Sequence, residues 1–396
     1  MNPGDTTDKS SEPDRSSQYR KVNSPAFDSD VMMRQPGIAL LLNGCLLALA
    51  LSGATGHCFA ASETNTSSMS RVEERQRFGD ETLTDAAGWS DLLNTVVGRV
   101  PAHGGVAVDK IRKIKVKSPG SIPARSVEAS GLVWDTFTHS YWLVSDESGA
   151  LFEMSAEGEL LQALEIDGLE MDDAESISID QQRLFIAGSV SVNKSGVLKE
   201  SRRKLFQCAR AGRGWRLERE LDLHRLLVDL SQTKSVDMQT RSYLTAALRQ
   251  QAIDIEAHQV RGDTLYLGFK APLNSLGQVV VLKVDGLEAL FSGGPLQASI
   301  WRSFKLHFNE GAGTMALSDM LFLDDRIYLT GVNRGHTDPA SGLWQMEYAR
   351  NRITSIRLFA EHKAEGVAIG PVIGELTIVF DGGGKTESRY VRIPFD

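Results

Sequence analysis

Glu256-Ala257-His258-Gln259-Val260, followed after a short polar turn by Leu265-Tyr266-Leu267-Gly268, decides the fold. An acidic residue opens a short strand, Arg261-Gly262-Asp263 turns the chain, and an aromatic-containing strand ends on glycine. Short runs rich in apolar and aromatic residues, separated by a glycine turn, read as a β-hairpin. The same unit recurs. Glu128-Ala129-Ser130-Gly131 leads to Tyr141-Trp142-Leu143-Val144-Ser145-Asp146, and Glu175-Ser176-Ile177 leads to Leu184-Phe185-Ile186-Ala187-Gly188. Asp319-Met320-Leu321 leads to Ile327-Tyr328-Leu329-Thr330-Gly331, and Glu365-Gly366-Val367 leads to Leu376-Thr377-Ile378-Val379-Phe380-Asp381.

The opening acids stand 47, 81, 63 and 46 residues apart. Each unit is followed by a third strand and most by a fourth, as at residues 279–284 and 299–306. Four strands in roughly 40–50 residues is the signature of a propeller blade. The two long intervals carry insertions. The sequence therefore predicts an all-β chain, a β-propeller of about five blades, with six as the alternative count. A pair of β-sandwiches explains the strands but not their recurrence.

The fifth unit has only one further strand, at 389–395. An alternating run upstream, Lys110-Ile111-Arg112-Lys113-Ile114-Lys115-Val116-Lys117, is left unclaimed. It is predicted to complete the last blade and close the ring, which removes an open sheet edge. The propeller then spans 109–396. Within it, 222–252 differs: Leu223, Leu226, Leu227 and Leu230, then Leu244, Ala247 and Leu248, fall at helical spacing and predict two short helices between the second and third blades.

The beginning of the chain reads differently. Residues 1–31 are polar, as a disordered segment or a misassigned start. Met32-Met33-Arg34 precedes the nearly all-apolar run 37–51, and Cys58-Phe59-Ala60 ends on a small residue. That is the order of a secretory signal peptide, 32–60, cut after Ala60. The apolar run is shorter than the ~20 residues of a bilayer span. A periplasmic or secreted protein is expected, with no membrane span in the mature chain, and 61–108 as a polar leader. Of Cys45, Cys58 and Cys208 only the last then remains, so no disulfide forms within one mature chain and Cys208 is expected as a small core hydrophobe.

The 396 residues are 41% hydrophobic with a net charge of −8, which supplies no basic face for nucleic acid. The G-x-S-x-G, H-E-x-x-H and C-x-x-C signatures are absent from the sequence. Gly382-Gly383-Gly384-Lys385-Thr386 imitates the end of a phosphate loop, but Val379 stands where that loop needs glycine and a strand follows it.

In a propeller the starts of the inner strands, the loops after the second strands and the interblade connections share one face. Glu128, Glu175, Glu256, Asp319 and Glu365 are therefore candidate ligands for a hard cation, Ca²⁺ or Mg²⁺. An acid repeated in every blade also serves as a ring lock, accepting N–H groups of the neighbouring blade. Residues that break the repeat, namely Asp146, Glu147, His258, Lys270, Arg334 and His336, are the ligand-binding candidates. Lys270 stands near Glu256 and is expected to pair with it or to bind an anion.

The quoted units resemble a bacterial family of exported propellers known as a domain of unknown function, itself similar to the esterase-like phytase domains. The resemblance rests on Glu128-Ala129-Ser130-Gly131 with Ser145-Asp146-Glu147, on Glu175 with Gly188-Ser189, and on Ile255-Glu256 with Gly268-Phe269-Lys270-Ala271-Pro272. Ala257 and Lys270 depart from its pattern, where glycine and arginine are usual. It implies the fold and export but brings no activity. The functional expectation is an exported monomer that binds a small molecule or a protein through a carboxylate-lined face. The alternatives are a metal-dependent phosphoesterase or lactonase, and a purely structural envelope component.

Overall fold

The computed structural model describes residues 110–116, 127–307, 314–333, 341–383 and 387–395. The expected signal peptide, its flanking segments, Arg334 and His336 lie outside the described residues. The described chain belongs to the compact unit Asp80–Asp396.

It enters with two short strands, β1 (Arg112–Lys113) and β2 (Lys115–Val116). Blade 1 is β3 (Ala129–Asp135), β4 (Ser140–Ser145), β5 (Ser148–Ser155) and β6 (Glu159–Leu164). Blade 2 is β7 (Ala174–Asp180), β8 (Arg183–Gly188), β9 (Lys204–Ala211) and β10 (Gly214–Asp222). Blade 3 is β11 (Asp254–Arg261), β12 (Thr264–Ala271), β13 (Val279–Asp285) and β14 (Gln297–Phe304). Blade 4 is β15 (Ala316–Leu323), β16 (Arg326–Val332), β17 (Ser341–Glu347) and β18 (Ile353–Phe359), and blade 5 is β19 (Lys363–Ile369), β20 (Glu375–Asp381) and β21 (Arg389–Pro394). Within each blade the strands lie in chain order and pair antiparallel. The inner strands β3, β7, β11, β15 and β19 neighbour one another in that order, and β19 returns to β3. The fold is a five-bladed β-propeller.

The burial pattern follows from that geometry. A second strand is covered on both faces by adjacent blades, so every residue of β4 (Ser-Tyr-Trp-Leu-Val-Ser) is buried. An outer strand faces water on one side, and β10 alternates apolar and charged residues. Separate hydrophobic cores fill the gaps between blades. Trp142 of blade 1 meets Trp215 of blade 2 edge-on, at 6.4 Å, and Tyr266 of blade 3 meets Phe322 of blade 4 at 4.7 Å. Each such side chain contributes about 1.5–3 kcal/mol by leaving water. Cys208 lies fully buried in the core between blades 1 and 2, as expected, and burial pushes its thiol up to about 12.

The closing strand behaves as predicted over half its length. Arg112 pairs with Tyr390 and Lys113 with Arg389, so β1 completes blade 5. The continuation was not foreseen. Ile114 N–H still donates to Ser388 O (2.9 Å), but Lys115 N–H donates to Gly158 O (2.9 Å), and β2 runs parallel to β6 on the outside of blade 1. One short run thus straps the last blade to the first.

The two expected helices are present as α1 (Leu223–Gln232) and α2 (Met238–Arg249). Asp222 and Asp237 cap them, accepting from Arg225 N–H and Thr240 N–H at 2.9 Å each. Leu223, Leu226, Leu227, Leu230 and Leu244 face the core between blades 2 and 3. A third helix, α3 (Leu287–Phe291), in the last turn of blade 3, carried no signal at the sequence level. Among the described residues no helix is long and apolar enough to cross a membrane.

Candidate functional site: the carboxylate end of the ring

Each inner strand has a register shift near its start, between Ala129 and Gly131, Ala174 and Ser176, Ile255 and Ala257, Leu317 and Asp319, and Ala364 and Gly366. A β-bulge lifts one residue out of the ladder at each place. Those residues are Ser130, Glu175, Glu256, Ser318 and Glu365. The expectation of one equivalent acid per blade is therefore corrected. Glu128 lies two residues before the bulge and Asp319 one residue after it. In a strand a one-residue offset moves a side chain to the opposite face, so a shared acid does not mean a shared position.

The acids consequently do different work. Asp319 is buried, and its Oδ2 accepts the N–H of Val367 in the neighbouring blade at 2.9 Å, while Oδ1 accepts from Met320 N–H at 2.8 Å. This is the ring lock anticipated for the acids as a group. Burial pushes its pKa well above the carboxylate range, against the pull of those two amides. Gly366, beside Val367, serves the other neighbour: a Cβ there would lie 3.0 Å from Leu132 N of blade 1.

Glu256, Glu365 and Glu175 gather at the bulges. Lys270 Nζ lies 2.6 Å from Glu256 Oε1. Lys363 Nζ contacts Glu365 Oε1 and stands 3.3 Å from Asp381 Oδ2. Desolvation pulls Lys270 down, but Glu256, Glu365 and Asp254 outweigh it and keep the ammonium charged. Desolvation holds the Glu256 carboxyl well above its usual range, with Lys270, 2.6 Å away, pulling it back toward the ionised form. Glu175 makes no hydrogen bond or ion pair among the described residues. Burial, then Glu256 and Asp173, raise its pKa well above the usual value.

His258 is fully buried between blades 2 and 3, its Nδ1 2.6 Å from Ser176 Oγ and its Nε2 2.9 Å from Ser178 Oγ. Desolvation lowers its pKa to about 3, so it is a neutral link between inner strands rather than a group open to ligand.

Asp146 and Glu147 are brought against Glu128. The β3–β4 hairpin puts the start of β3 beside the end of β4, and Ser130 Oγ accepts Asp146 N–H at 3.1 Å. One carboxylate oxygen from each of Glu128, Asp146 and Glu147 lies within 4.8 Å of the others. Asp146 Oδ1 is buried without a hydrogen-bond partner among the described residues. Desolvation, then Asp381, raise Asp146 to about 6, with Glu147 and Asp173 adding and Lys363 opposing. Desolvation, then Asp381 and Asp146, also raise Glu128. These carboxylates destabilise one another as anions, and a hard cation among them relieves that repulsion. Nearby Asp173 is occupied differently: it accepts from Ser189 Oγ, from Ser191 Oγ at 3.1 Å, and pairs with Arg202 at 3.0 Å, which fixes the loop after β8.

The structure thus joins Asp146, Glu147 and Glu128 in one cluster, and Glu175, Glu256, Lys270 and Glu365 in another. His258 and Asp319 stand in interblade contacts. Lys363 was missed by sequence reasoning, although a basic residue two positions before Glu365, and opposite Asp381 in the β19–β20 register, was a usable signal.

No family model matches the chain, and no curated protein matches it. Among solved structures it is similar to the β-propeller domain of Cps50 (Swd1) from Myceliophteria thermophila, at 10% identity over 70% of this chain and 99% of that one, with a TM-score of 0.35. It is also similar to the calcium-binding protein regucalcin from Agrobacterium tumefaciens, at 10% identity over 73% and 96% of the chains, with a TM-score of 0.36. Streptogramin B lyase matches at 8% identity over 72% and 98%, with a TM-score of 0.34. At these scores the matches carry no argument about a site.

Proposed function

We propose that this is an exported propeller that binds its ligand at the carboxylate end of the ring, through a divalent cation held by Glu128, Asp146 and Glu147. The observation that carries the reading is the convergence of one carboxylate oxygen from each of three acids within 4.8 Å, together with a buried Asp146 Oδ1 that has no hydrogen-bond partner among the described residues. Oxygen-only donors on two loop-end segments suit Ca²⁺ better than Mg²⁺, which demands tighter octahedral geometry. Export rests on the signal-peptide order of residues 32–60, and the kinship with exported propellers of unknown function rests on the motifs quoted above. The ligand is a small molecule or protein segment that offers oxygen atoms to the cation.

A phosphoesterase or lactonase is less well supported. It needs free cations to clamp the anion, and Lys270 is already held by Glu256. Calorimetric titration of the protein with CaCl₂ and MgCl₂ tests the binding reading. Saturable 1:1 binding of Ca²⁺ is expected, weakened at least ~10-fold, or 1.4 kcal/mol, in Glu147→Gln. No saturable heat with either cation contradicts it.

A further inference from the structure

The ring has a second end. Residues from the middle to the far ends of β3 and β19, and at the far ends of β7 and β15, line a cavity of about 620 Å³ to which all five blades contribute. The carboxylates lie toward the opposite ends of these strands: Asp135 at the rim stands five residues, about 16 Å at ~3.3 Å per residue, beyond the bulge at Ser130, while Leu132 and Val367 in the wall lie two residues from the bulges at Ser130 and Glu365. The chemistry here is of another kind. Among the described residues the only charged side chains lining the cavity are Asp135 and Arg210, and they neutralise each other through two hydrogen bonds of 2.6 and 2.9 Å. The rest of the wall is apolar or neutral: Trp134, Phe137 and Phe322 offer rings, and Gln181, Gln182 and Gln259 offer amides.

Phe137 is the most informative of these. The residue is 64% exposed, on the turn between β3 and β4. Exposed aromatics are costly, yet this one is held firmly. Asp135, only 2% exposed, accepts from Phe137 N–H (3.0 Å), Thr138 Oγ1 (2.8 Å) and Trp142 Nε1 (3.2 Å) besides Arg210. Arg210 in turn lies 3.7 Å from the centre of the Trp215 ring and 4.9 Å from that of Phe137. A buried carboxylate and a stacked guanidinium thus fix an aromatic ring at the cavity rim while leaving most of its surface to solvent. Preorganisation of this kind lowers the ordering cost of binding.

We propose that this cavity is a second binding site, separate from the carboxylate end, and that its ligand is a neutral carbohydrate. The C–H face of a pyranose matches the open aromatic surface, and its hydroxyls match side-chain amides that both donate and accept. The volume falls in the ~300–1,000 Å³ range of small-ligand pockets. The absence of net charge in the wall disfavours a phosphate or carboxylate ligand at this end.

Calorimetric titration of the protein with maltotriose, cellotriose and triacetylchitotriose tests this. Saturable binding of at least one is expected, weakened at least ~10-fold by Phe137→Ala and unchanged by Asp146→Asn. Because Phe137 is exposed, the variant should melt close to the parent; if it does not, Gln182→Ala serves in its place with the same expected loss. No saturable heat from any of the three sugars, or binding that survives the cavity-rim substitution intact, overturns the proposal.

Discussion

Lys270 Nζ lies 2.6 Å from Glu256 Oε1, an ion pair built into the third blade where the inner strand bulges. Glu256 is almost wholly buried, so the pair is maintained largely out of water. Removing one partner strands the other charge. Lys270→Met should cost about 3–5 kcal/mol in urea unfolding, and adding Glu256→Gln should recover part of it. Equal and additive losses would show the two residues to be independent.

The Asp319–Val367 contact makes a related prediction. Asp319→Ala leaves two interior amides without acceptors and should cost about 2–4 kcal/mol. Asp319→Asn keeps a carbonyl acceptor and should cost less. Neither should alter Ca²⁺ affinity, because Asp319 is absent from the cation cluster.

His258 gives a pH dependence with a defined sign. Its folded pKa of about 3 lies below the ordinary 6.5, so the unfolded chain takes up the proton first. Its contribution is complete above pH 6.5 and is lost as pH falls toward 3, at up to ~1.4 kcal/mol per pH unit. Urea unfolding between pH 7 and 4 should show a shallower loss for His258→Leu than for the parent, despite a lower starting stability. Parallel curves would place the sensitivity elsewhere.

Asp146 has the opposite sign. Its pKa is raised from 3.8 to about 6, so its ionisation costs the folded state stability as pH rises through that window. A cation competes with the proton for the same oxygen. Ca²⁺ affinity should therefore fall as pH drops below about 6, and a flat affinity from pH 7.5 to 5 would argue against Asp146 as a ligand.

Much of the ring was legible because its signals are local. The hairpin of Glu256–Gly268 repeats with the same polarity, and the leucines of α1 fall on one helical face. The bulge register was not legible. Glu128 and Asp319 look like the counterparts of Glu175 in sequence, but only pairing partners reveal that Ser130 and Ser318 hold its position. The switch of Lys115–Val116 to blade 1 was hidden likewise, since alternation names a strand and not its neighbour. The Glu128–Asp146–Glu147 cluster was half visible. A hairpin reading already sets residue 128 beside 146, but the repeat groups the acids by their order in each unit rather than by their pairing.

The most direct measurement is thermal unfolding at pH 7.5 with chelator and then with excess CaCl₂, for the parent and Asp146→Asn. A ligand bound only to the folded state at a hundredfold excess over Kd adds about 2.7 kcal/mol. The parent should melt higher with Ca²⁺, while Asp146→Asn should melt higher than the parent in chelator and respond little to the cation. A parent that melts at the same temperature in both conditions would contradict a cation site at the carboxylate end of the ring.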